Sequence, residues 1–427
     1  MAAELLLFAP PSQTAARPPV RRQPVRSPCS PCSPCVSAPL TAFAEAGTSA
    51  ADAQAYDIGR DHARHGITPP HEPLASSCAL RRGYESGRAA FAGRTRAATP
   101  NVRLWLQLRL QAWLRGRSFE TLCVTPNYLG QLEASHCPVT RQPLSQGCQL
   151  PPHGAPQDRV VSRLCDDAGY AAGHLAMLSL AADLAKADHG WEDAWAQADQ
   201  LQRSGAAQAD GLNAGAWRRL AVLMSFVTPL PHAQAAGLPL LVLPPNRVHL
   251  LNPVQGLQVL ATQLLSRSGW SARLAQLLPL LPHDAARQAF HHFFLALLPR
   301  VIASGHPTDP LRRRWALEDA WRHTEVLQRW RKFALLLDAP ACQLLLERIA
   351  QRGLLPQRLQ LHSSEQDTAG WELESRGYLH SEEGLQLFPG SRSSSRLIRA
   401  YSRPERTAAP LRRPQNAGTQ LSLPIAS

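Results

Sequence analysis

The chain has 427 residues, of which 44% are hydrophobic, and a formal net charge of +13. This length suggests two or three domains, and the hydrophobic fraction suffices for a packed core. The basic excess favours anionic partners such as nucleic acid or acidic lipid. Only two of the 45 basic side chains are lysines, Lys186 and Lys332, and such an arginine bias is also typical of GC-rich genomes. No apolar run approaches the roughly 20 residues that cross a bilayer, which argues against a membrane protein.

The nine cysteines are an odd number, and three of them lie in the low-complexity run 27–35. The rest of the chain has no paired CxxC motifs, so neither a disulfide framework nor a zinc site is indicated, and we expect a cytoplasmic protein. Residues 1–45 and 390–427 are rich in Pro, Ser and Arg. This composition predicts disorder, because little apolar surface is available for burial.

A basic helical region is predicted over 53–130. It opens with an internal repeat, in which Tyr56-Asp-Ile-Gly-Arg recurs as Tyr84-Glu-Ser-Gly-Arg. Tyr and Gly three residues apart lie on one helix face, and Gly lets another backbone approach closely. The repeat therefore predicts a helical hairpin that crosses at glycine. The pattern also resembles the short Gly-Tyr-x-x-Gly helices of ribosome modulation factor.

A further helix is predicted over 99–115. Thr99 is a favourable cap, Pro100 suits the first helical position, and apolar residues recur at helical spacing. The helix belongs to a basic stretch with nine arginines against one acid, Glu85. We interpret the nine as candidate nucleic-acid-binding side chains. They are Arg81, Arg82, Arg88, Arg94, Arg96, Arg103, Arg109, Arg115 and Arg117.

Residues 131–190 contain the one pattern that suggests a specific chemistry. Cys137-Pro-Val-Thr is followed by Asp158-Arg-Val-Val, then by Gly-Tyr170-Ala-Ala-Gly-His-Leu and a predicted helix over 176–186. This order resembles the phage-type branch of the HNH endonuclease family. In that branch a Cys-Pro-x-Thr turn precedes Asp-Arg-Ile, Gly-Tyr-x-x-x-Asn-Val and a helix. The resemblance covers 137–189 and implies a small ββα module of the treble-clef type.

The resemblance also implies a centre for Mg²⁺ or Mn²⁺ that cleaves nucleic acid, with the metal stabilising the leaving oxygen. Asp158 and His174 would then act in catalysis, and Asp158, His174 and Asp183 would hold the metal. His153 and His189 are further candidates for the base that activates water. No zinc site is expected, because Cys148 and Cys165 do not have the spacing of a zinc-binding pair.

The module departs from the family at the positions that carry the chemistry. Arg159, the third candidate catalytic residue, occupies the position of the general-base histidine, and a guanidinium stays protonated and cannot take a proton from water. Arg159 is instead suited to hold a phosphate, as is Lys186 at the end of the helix. His174 stands where the family has Asn, and Thr140 replaces a knuckle cysteine. These departures predict weak or absent catalysis.

From 191 to 353 the chain is predicted to form consecutive amphipathic helices with proline-rich connectors. These helices span 213–227, 253–266, 272–281, 285–304, 311–337 and 339–353. Residues 354–389 are predicted to form a small capping segment with short strands at 359–361 and 385–387. The expected fold is mainly α: a helical bundle-like protein with a small HNH-like ββα insertion and disordered termini.

Three functions are consistent with the sequence. The first is a protein that binds DNA or RNA through a degenerate HNH-like module and the neighbouring arginines. The second is a metal-dependent HNH-type endonuclease with a rearranged active site. The third is a helical interaction or structural protein without a nucleic-acid role. Salt-dependent binding of nucleic acid separates the first two from the third, because neutralising phosphates releases counterions.

Overall fold

The computed structural model describes six segments of the chain. They are residues 49–145, 154–266, 269–303, 309–355, 359–362 and 365–379. The predictions made for 1–45, 390–427, the strand at 385–387, Cys148 and His153 lie outside these residues. The described residues belong to one compact unit, Thr48–Ser427, and most of them are helical, as the sequence predicts.

Five helices form the N-terminal part. They are α1 (Ala50–Arg64), α2 (His71–Ser76), α3 (Cys78–Phe91), α4 (Pro100–Leu114) and α5 (Pro126–Gln131). Helices α1 and α3 pair as the helical hairpin that the repeat predicts. A Cβ on Gly83 would lie 2.0 Å from the carbonyl oxygen of Tyr56, and one on Gly59 would lie 2.1 Å from that of Leu80. Because both contacts are with backbone, only glycine permits this crossing.

Helix α4 confirms the helix predicted over 99–115. The Thr99 hydroxyl accepts a hydrogen bond from the Val102 amide at 3.3 Å, and Pro100 takes the first helical position. The helix ends just before Gly116, whose φ of +62° lies in the left-handed region. A cap, a proline and a terminal glycine are local signals, which is why the sequence alone places this helix within a residue.

A β-hairpin and a short helix follow between 159 and 186. Strands β1 (Arg159–Arg163) and β2 (Leu175–Ser179) pair antiparallel, and α6 (Leu180–Lys186) continues directly from β2. The helix predicted over 176–186 therefore starts too early in the sequence-based prediction: 176–179 are strand. Cross-strand pairing with β1 overrides the helical spacing of these apolar residues. The Ser179 hydroxyl then caps α6 by accepting from the Ala182 amide.

The Cys137-Pro turn packs against the junction of this hairpin with α6. The turn is closed by the Arg141 amide, which donates to the Cys137 carbonyl at 2.8 Å. The buried Cys137 sulfur accepts from the Ser179 amide and hydroxyl at 3.4 and 3.3 Å. Turn, hairpin and helix therefore meet in the order in which they occur along the chain. We call 135–186 the turn–hairpin–helix unit.

The remaining α-helices run from 191 to 351. They are α7 (Trp191–Ser204), α8 (Ala214–Ser225), α9 (His232–Gly237), α10 (Pro253–Leu264), α11 (Trp270–Leu277), α12 (Asp284–Ala303), α13 (Pro310–Ala320), α14 (Thr324–Ala334) and α15 (Ala339–Gln351). The single helix predicted over 311–337 is wrong, because the chain breaks between α13 and α14. The break lets Trp321 and Trp330 both pack on Phe293 in the main core. The Trp321 indole also donates to the Thr262 hydroxyl at 2.9 Å.

The C-terminal described residues return to the turn–hairpin–helix unit. Strand β4 (Gln360–Leu361), predicted at 359–361, pairs parallel with β3 (His249–Leu250). Short 3₁₀ helices follow at Glu365–Trp371 and Leu373–Ser375, and another lies at Leu278–Leu280. Trp371 is buried in the main core. Among the described residues, no helix combines the length and apolarity needed to cross a membrane.

Candidate functional site

Asp158 is the predicted metal ligand at the start of β1, and it is 6% exposed. One carboxylate oxygen accepts from the Ser145 hydroxyl at 2.6 Å, and the other accepts from the Ala155 amide at 2.8 Å. Its backbone carbonyl accepts from the Leu180 amide, which joins β1 to the first residue of α6. These contacts give Asp158 a clear role in closing the loop before the hairpin.

His174 lies at the other end of the hairpin and has no solvent exposure. Its ring centroid is 4.7 Å from that of Trp371, and neither ring nitrogen has a hydrogen-bond partner among the described residues. Burial, reinforced by the nearby cation of Arg163, lowers the pKa of His174 to about 3. The imidazole is therefore neutral at pH 7. Because it does not contact solvent, it is poorly placed to activate water.

The structure does not bring the three predicted metal ligands together. His174 lies opposite Leu164, six residues along the strand direction from Asp158, which corresponds to about 20 Å at the usual rise per residue. Asp183 is half-buried in the first turn of α6. Among the described residues, no three His, Cys, Asp or Glu side chains are arranged to hold a metal ion.

Arg159, the third predicted catalytic residue, is held at the side of the hairpin. Its guanidinium is 3.4 Å from the carboxylate of Glu133, and its side chain is half-buried. His189, the other described candidate base, donates a hydrogen bond from Nδ1 to the Lys186 carbonyl and packs edge-on against Trp217. The contacts described for Arg159 and His189 do not include His174, so these side chains do not form a catalytic group with it.

The turn that precedes His174 is fixed by contacts with three residues from elsewhere in the chain. The Glu120 carboxylate accepts from the Ala172 amide at 2.8 Å, and the Tyr128 hydroxyl accepts from the Gly173 amide at 3.0 Å. The His249 amide donates to the Gly173 carbonyl at 2.7 Å. Gly173 has a φ of +98°, and a Cβ there would lie 2.8 Å from the His249 ring. The Gly-Tyr-x-x-Gly-His stretch of the sequence is thus a packing turn.

A cluster of charged side chains lies between α4, the hairpin and α6. We call it the Asp166 cluster, and its members are Arg115, Arg117, Arg163, Asp166 and Lys186. Arg163 donates to the Asp166 carboxylate at 2.9 Å, and the Lys186 ammonium is 3.8 Å from the same oxygen. Although burial alone would raise the pKa of Asp166, the four nearby cations hold it below its ordinary value. Asp166 is therefore ionised at neutral pH.

The candidate nucleic-acid-binding side chains divide by exposure. The exposed ones are Arg81, Arg82, Arg88, Arg94, Arg96 and Arg103. The half-buried ones are Arg115, Arg117 and Arg159. Arg109 and Lys186 are each 3% exposed, and they pair with Asp61 and Asp166 respectively. The sequence predicts both side chains to be at the surface, but the structure buries them. On α4 the helical periodicity explains the difference, because it places Arg103 on the exposed face and Arg109 on the buried one.

We call the six exposed side chains the arginine face. They lie on α3, on the loop that follows it and on the first turn of α4. Their hydrogen bonds within the described residues are few and go to backbone carbonyls: Arg81 donates to Leu74 and Ala75, and Arg103 donates to Ala98. None of the six forms an ion pair with a described carboxylate. The face therefore presents uncompensated positive charge to solvent.

Arg163, Asp166 and Tyr170 escape prediction from the sequence. They are close in the chain, but their partners Arg115 and Lys186 come from α4 and α6, and nothing in the local pattern connects these elements. The one available signal is Arg163 at the end of a predicted extended segment, followed three residues later by an acid. That signal predicts a local ion pair and no more.

Comparison of the chain with models of known protein families, with curated proteins and with solved structures finds no match. The function therefore has to be inferred from the chain's own residues and their arrangement.

Proposed function

We propose that the protein binds nucleic acid and that the arginine face makes the main contacts with the phosphate backbone. The observation that carries this proposal is the placement of six exposed arginines over 81–103 without carboxylate partners among the described residues. Within that stretch Glu85 is the one acidic residue. An unpaired guanidinium in solvent suits a phosphate, since its planar donors match two phosphate oxygens.

The charge pattern favours nucleic acid over a role in folding. An arginine that stabilises the fold is paired and buried, as Arg109 is with Asp61. The arginines of the face have neither property, so replacing them costs little folding free energy. Their charges are instead free to displace counterions from a polyanion, which is the main source of affinity in non-specific nucleic-acid binding.

The turn–hairpin–helix unit supports the proposal as a scaffold. Its order of Cys-Pro turn, hairpin and helix is the one that the HNH-like resemblance implies. Its Tyr170 stacks on Phe119 and belongs to the same hydrophobic cluster as Leu108 and Ala112 of α4. Arg159 in place of a base, and the separation of Asp158 from His174, favour a binding role over the endonuclease alternative. We therefore propose a degenerate, catalytically inactive HNH-like module.

The test measures binding of fluorescent DNA and RNA oligonucleotides to the full chain over a series of salt concentrations. If six phosphates are contacted, affinity falls roughly 10³-fold between 50 and 200 mM salt. The variant Arg82→Glu/Arg88→Glu/Arg94→Glu should lose most of the affinity and flatten the salt slope by about one unit per lost contact.

A matched control changes the same charge elsewhere. The exposed residues Arg331 on α14, Arg348 on α15 and Arg352 directly after α15 serve this purpose. Their triple change to Glu alters the net charge by the same amount, so it should leave affinity much closer to wild type. Equal loss in both variants would mean that only the overall charge matters. No salt-dependent binding at all would leave the helical interaction protein as the better reading.

A further inference from the structure

The Asp166 cluster contains more positive charge than its carboxylates neutralise. Four cationic side chains, Arg115, Arg117, Arg163 and Lys186, lie near Asp166. One further carboxylate, Asp183, lies near enough to act on Arg115 and Lys186. Two carboxylates against four cations leave an excess of positive charge in a site that is largely screened from solvent.

Neutral acceptors hold the guanidinium groups of the cluster in place. Arg115 donates to the Tyr170 hydroxyl at 3.3 Å. Arg117 donates to the Arg376 carbonyl and stacks over the Tyr378 ring at 4.1 Å from its centroid. Arg163 donates to the Asp166 carbonyl at 3.0 Å and stacks over Tyr170 at 5.3 Å. Carbonyls and rings fix these side chains without cancelling their charge.

Burial raises the free-energy cost of the excess positive charge, and a bound anion would offset that cost. Lys186 is 3% exposed and the Arg163 side chain 12%, whereas the Asp166 side chain keeps 33% exposure. Burial lowers the pKa of Lys186, and it also lowers that of Arg117, next to Arg163. For Arg117 the neighbouring cation of Arg163 acts in the same direction as burial. The exposed edge at Asp166 leaves a way in from solvent.

We propose that the Asp166 cluster is a binding site for a phosphate group. The half-buried guanidinium groups of Arg115, Arg117 and Arg163 contact its oxygens, and Lys186 supplies charge from beneath. The phosphate group belongs either to the backbone of bound nucleic acid or to a free phosphate compound. Only the first of these sources rests on the proposed function. The site lies between the end of α4 and the turn–hairpin–helix unit, and none of its members belongs to the arginine face.

The first experiment titrates inorganic phosphate into the full chain by calorimetry, with chloride replaced so that ionic strength stays constant. We expect saturable binding to one site, and a loss of affinity of about tenfold or more in Arg115→Gln and in Arg117→Gln, because each removes a charge-assisted contact. Arg331→Gln, on the exposed side of α14 and outside both proposed binding surfaces, is the matched control and should bind phosphate as the wild type does.

A second variant keeps the test decisive if the arginine changes impair folding. Asp166→Asn retains the shape of the side chain and removes the carboxylate that competes with phosphate for the same cations. It should bind phosphate more tightly than the wild type. If Asp166 instead forms a purely structural ion pair, the variant will be less stable and its phosphate affinity will not increase, which overturns the proposal.

Competition identifies the source of the phosphate. An oligonucleotide that displaces phosphate from the wild type supports a backbone contact. Phosphate binding that persists without competition supports a free phosphate compound, and it stands even if the arginine face proves not to bind nucleic acid. Heats that match a chloride titration, or phosphate binding unaffected in both arginine variants, rule out the site.

Discussion

The arginine face and the interior of α4 use the same residue type for opposite purposes. Arg82 and Arg103 extend into solvent without carboxylate partners among the described residues. Arg109, two turns further along α4, is buried, pairs with Asp61 and stacks on Trp105 at 4.6 Å. A guanidinium in solvent keeps its long-range attraction for polyanions, whereas one in the interior ties two helices together. Position on the helix, and not composition, therefore decides what each arginine does.

The largest expected effect is on the free energy of unfolding, and it distinguishes buried Arg109 from exposed Arg82. Arg109→Met should lower the free energy of unfolding by about 3 kcal/mol, because it leaves the Asp61 carboxylate without its partner at the contact between α1 and α4. Arg82→Met should change it by less than about 0.5 kcal/mol. Urea unfolding followed by circular dichroism measures both.

A second substitution tests the assigned cause. If the cost of Arg109→Met comes from an orphaned carboxylate, adding Asp61→Asn should recover part of the lost stability, since the charge that lacks a partner is then gone. Equal stability of Arg109→Met and Arg82→Met would contradict the division of the arginines into buried and exposed sets.

The sequence predicts those parts of the fold that local signals determine. The caps of α4, the glycine crossing of α1 and α3, and the existence of a hairpin followed by a helix were all accessible, because turn and capping chemistry lies within a few residues. The start of α6 was not, since pairing with β1 decided it. The break between α13 and α14 was likewise set by Trp321, which packs against residues far away in the chain.

The candidate site was predictable only in part, for the same reason. Exposed arginines can be counted in a sequence, but the pattern does not show which of them face inward. The order of Cys137-Pro, Asp158-Arg159 and the following apolar residues predicts a turn, a hairpin and a helix, which the structure contains, yet Asp158 and His174 lie at opposite ends of the hairpin. The Asp166 cluster draws on α4, β1 and α6, so no single stretch of sequence contains it.

A smaller effect is expected from His174, whose buried ring contrasts with an exposed histidine. Its pKa is about 3 in the folded protein, whereas the ordinary value is 6.5. Between these two values the unfolded chain binds a proton that the folded protein does not. The contribution of His174 to the free energy of unfolding is therefore constant above pH 6.5. It falls by about 1.4 kcal/mol per pH unit below that value, or by about 2 kcal/mol at pH 5.

The variant His174→Leu should remove that share of the pH dependence. Thermal unfolding of wild type and variant between pH 7.5 and 5 measures the difference in slope. Buried His62 and half-buried His249, whose pKa values are also lowered by desolvation, contribute to the slope that remains. An unaltered slope in His174→Leu would show that the ring is protonated or solvated in the folded protein.

The smallest expected effect concerns Arg159, and it tests whether the hairpin can support the reaction of the HNH endonucleases that its sequence resembles. Arg159→His restores the base that the family pattern requires, so a site that lacked only this base would regain metal-dependent cleavage. Here both oxygens of Asp158 already accept hydrogen bonds from Ser145 and Ala155, and His174 is remote and buried. We expect cleavage of plasmid DNA or RNA with Mg²⁺ or Mn²⁺ to stay at the level of Arg159→Gln.

The free energy of unfolding of Arg159→His should change by less than about 0.5 kcal/mol, because only a partly solvated ion pair with Glu133 is lost. Cleavage that appears in Arg159→His and disappears when Asp158→Ala is added would show that the hairpin can assemble a catalytic centre after all.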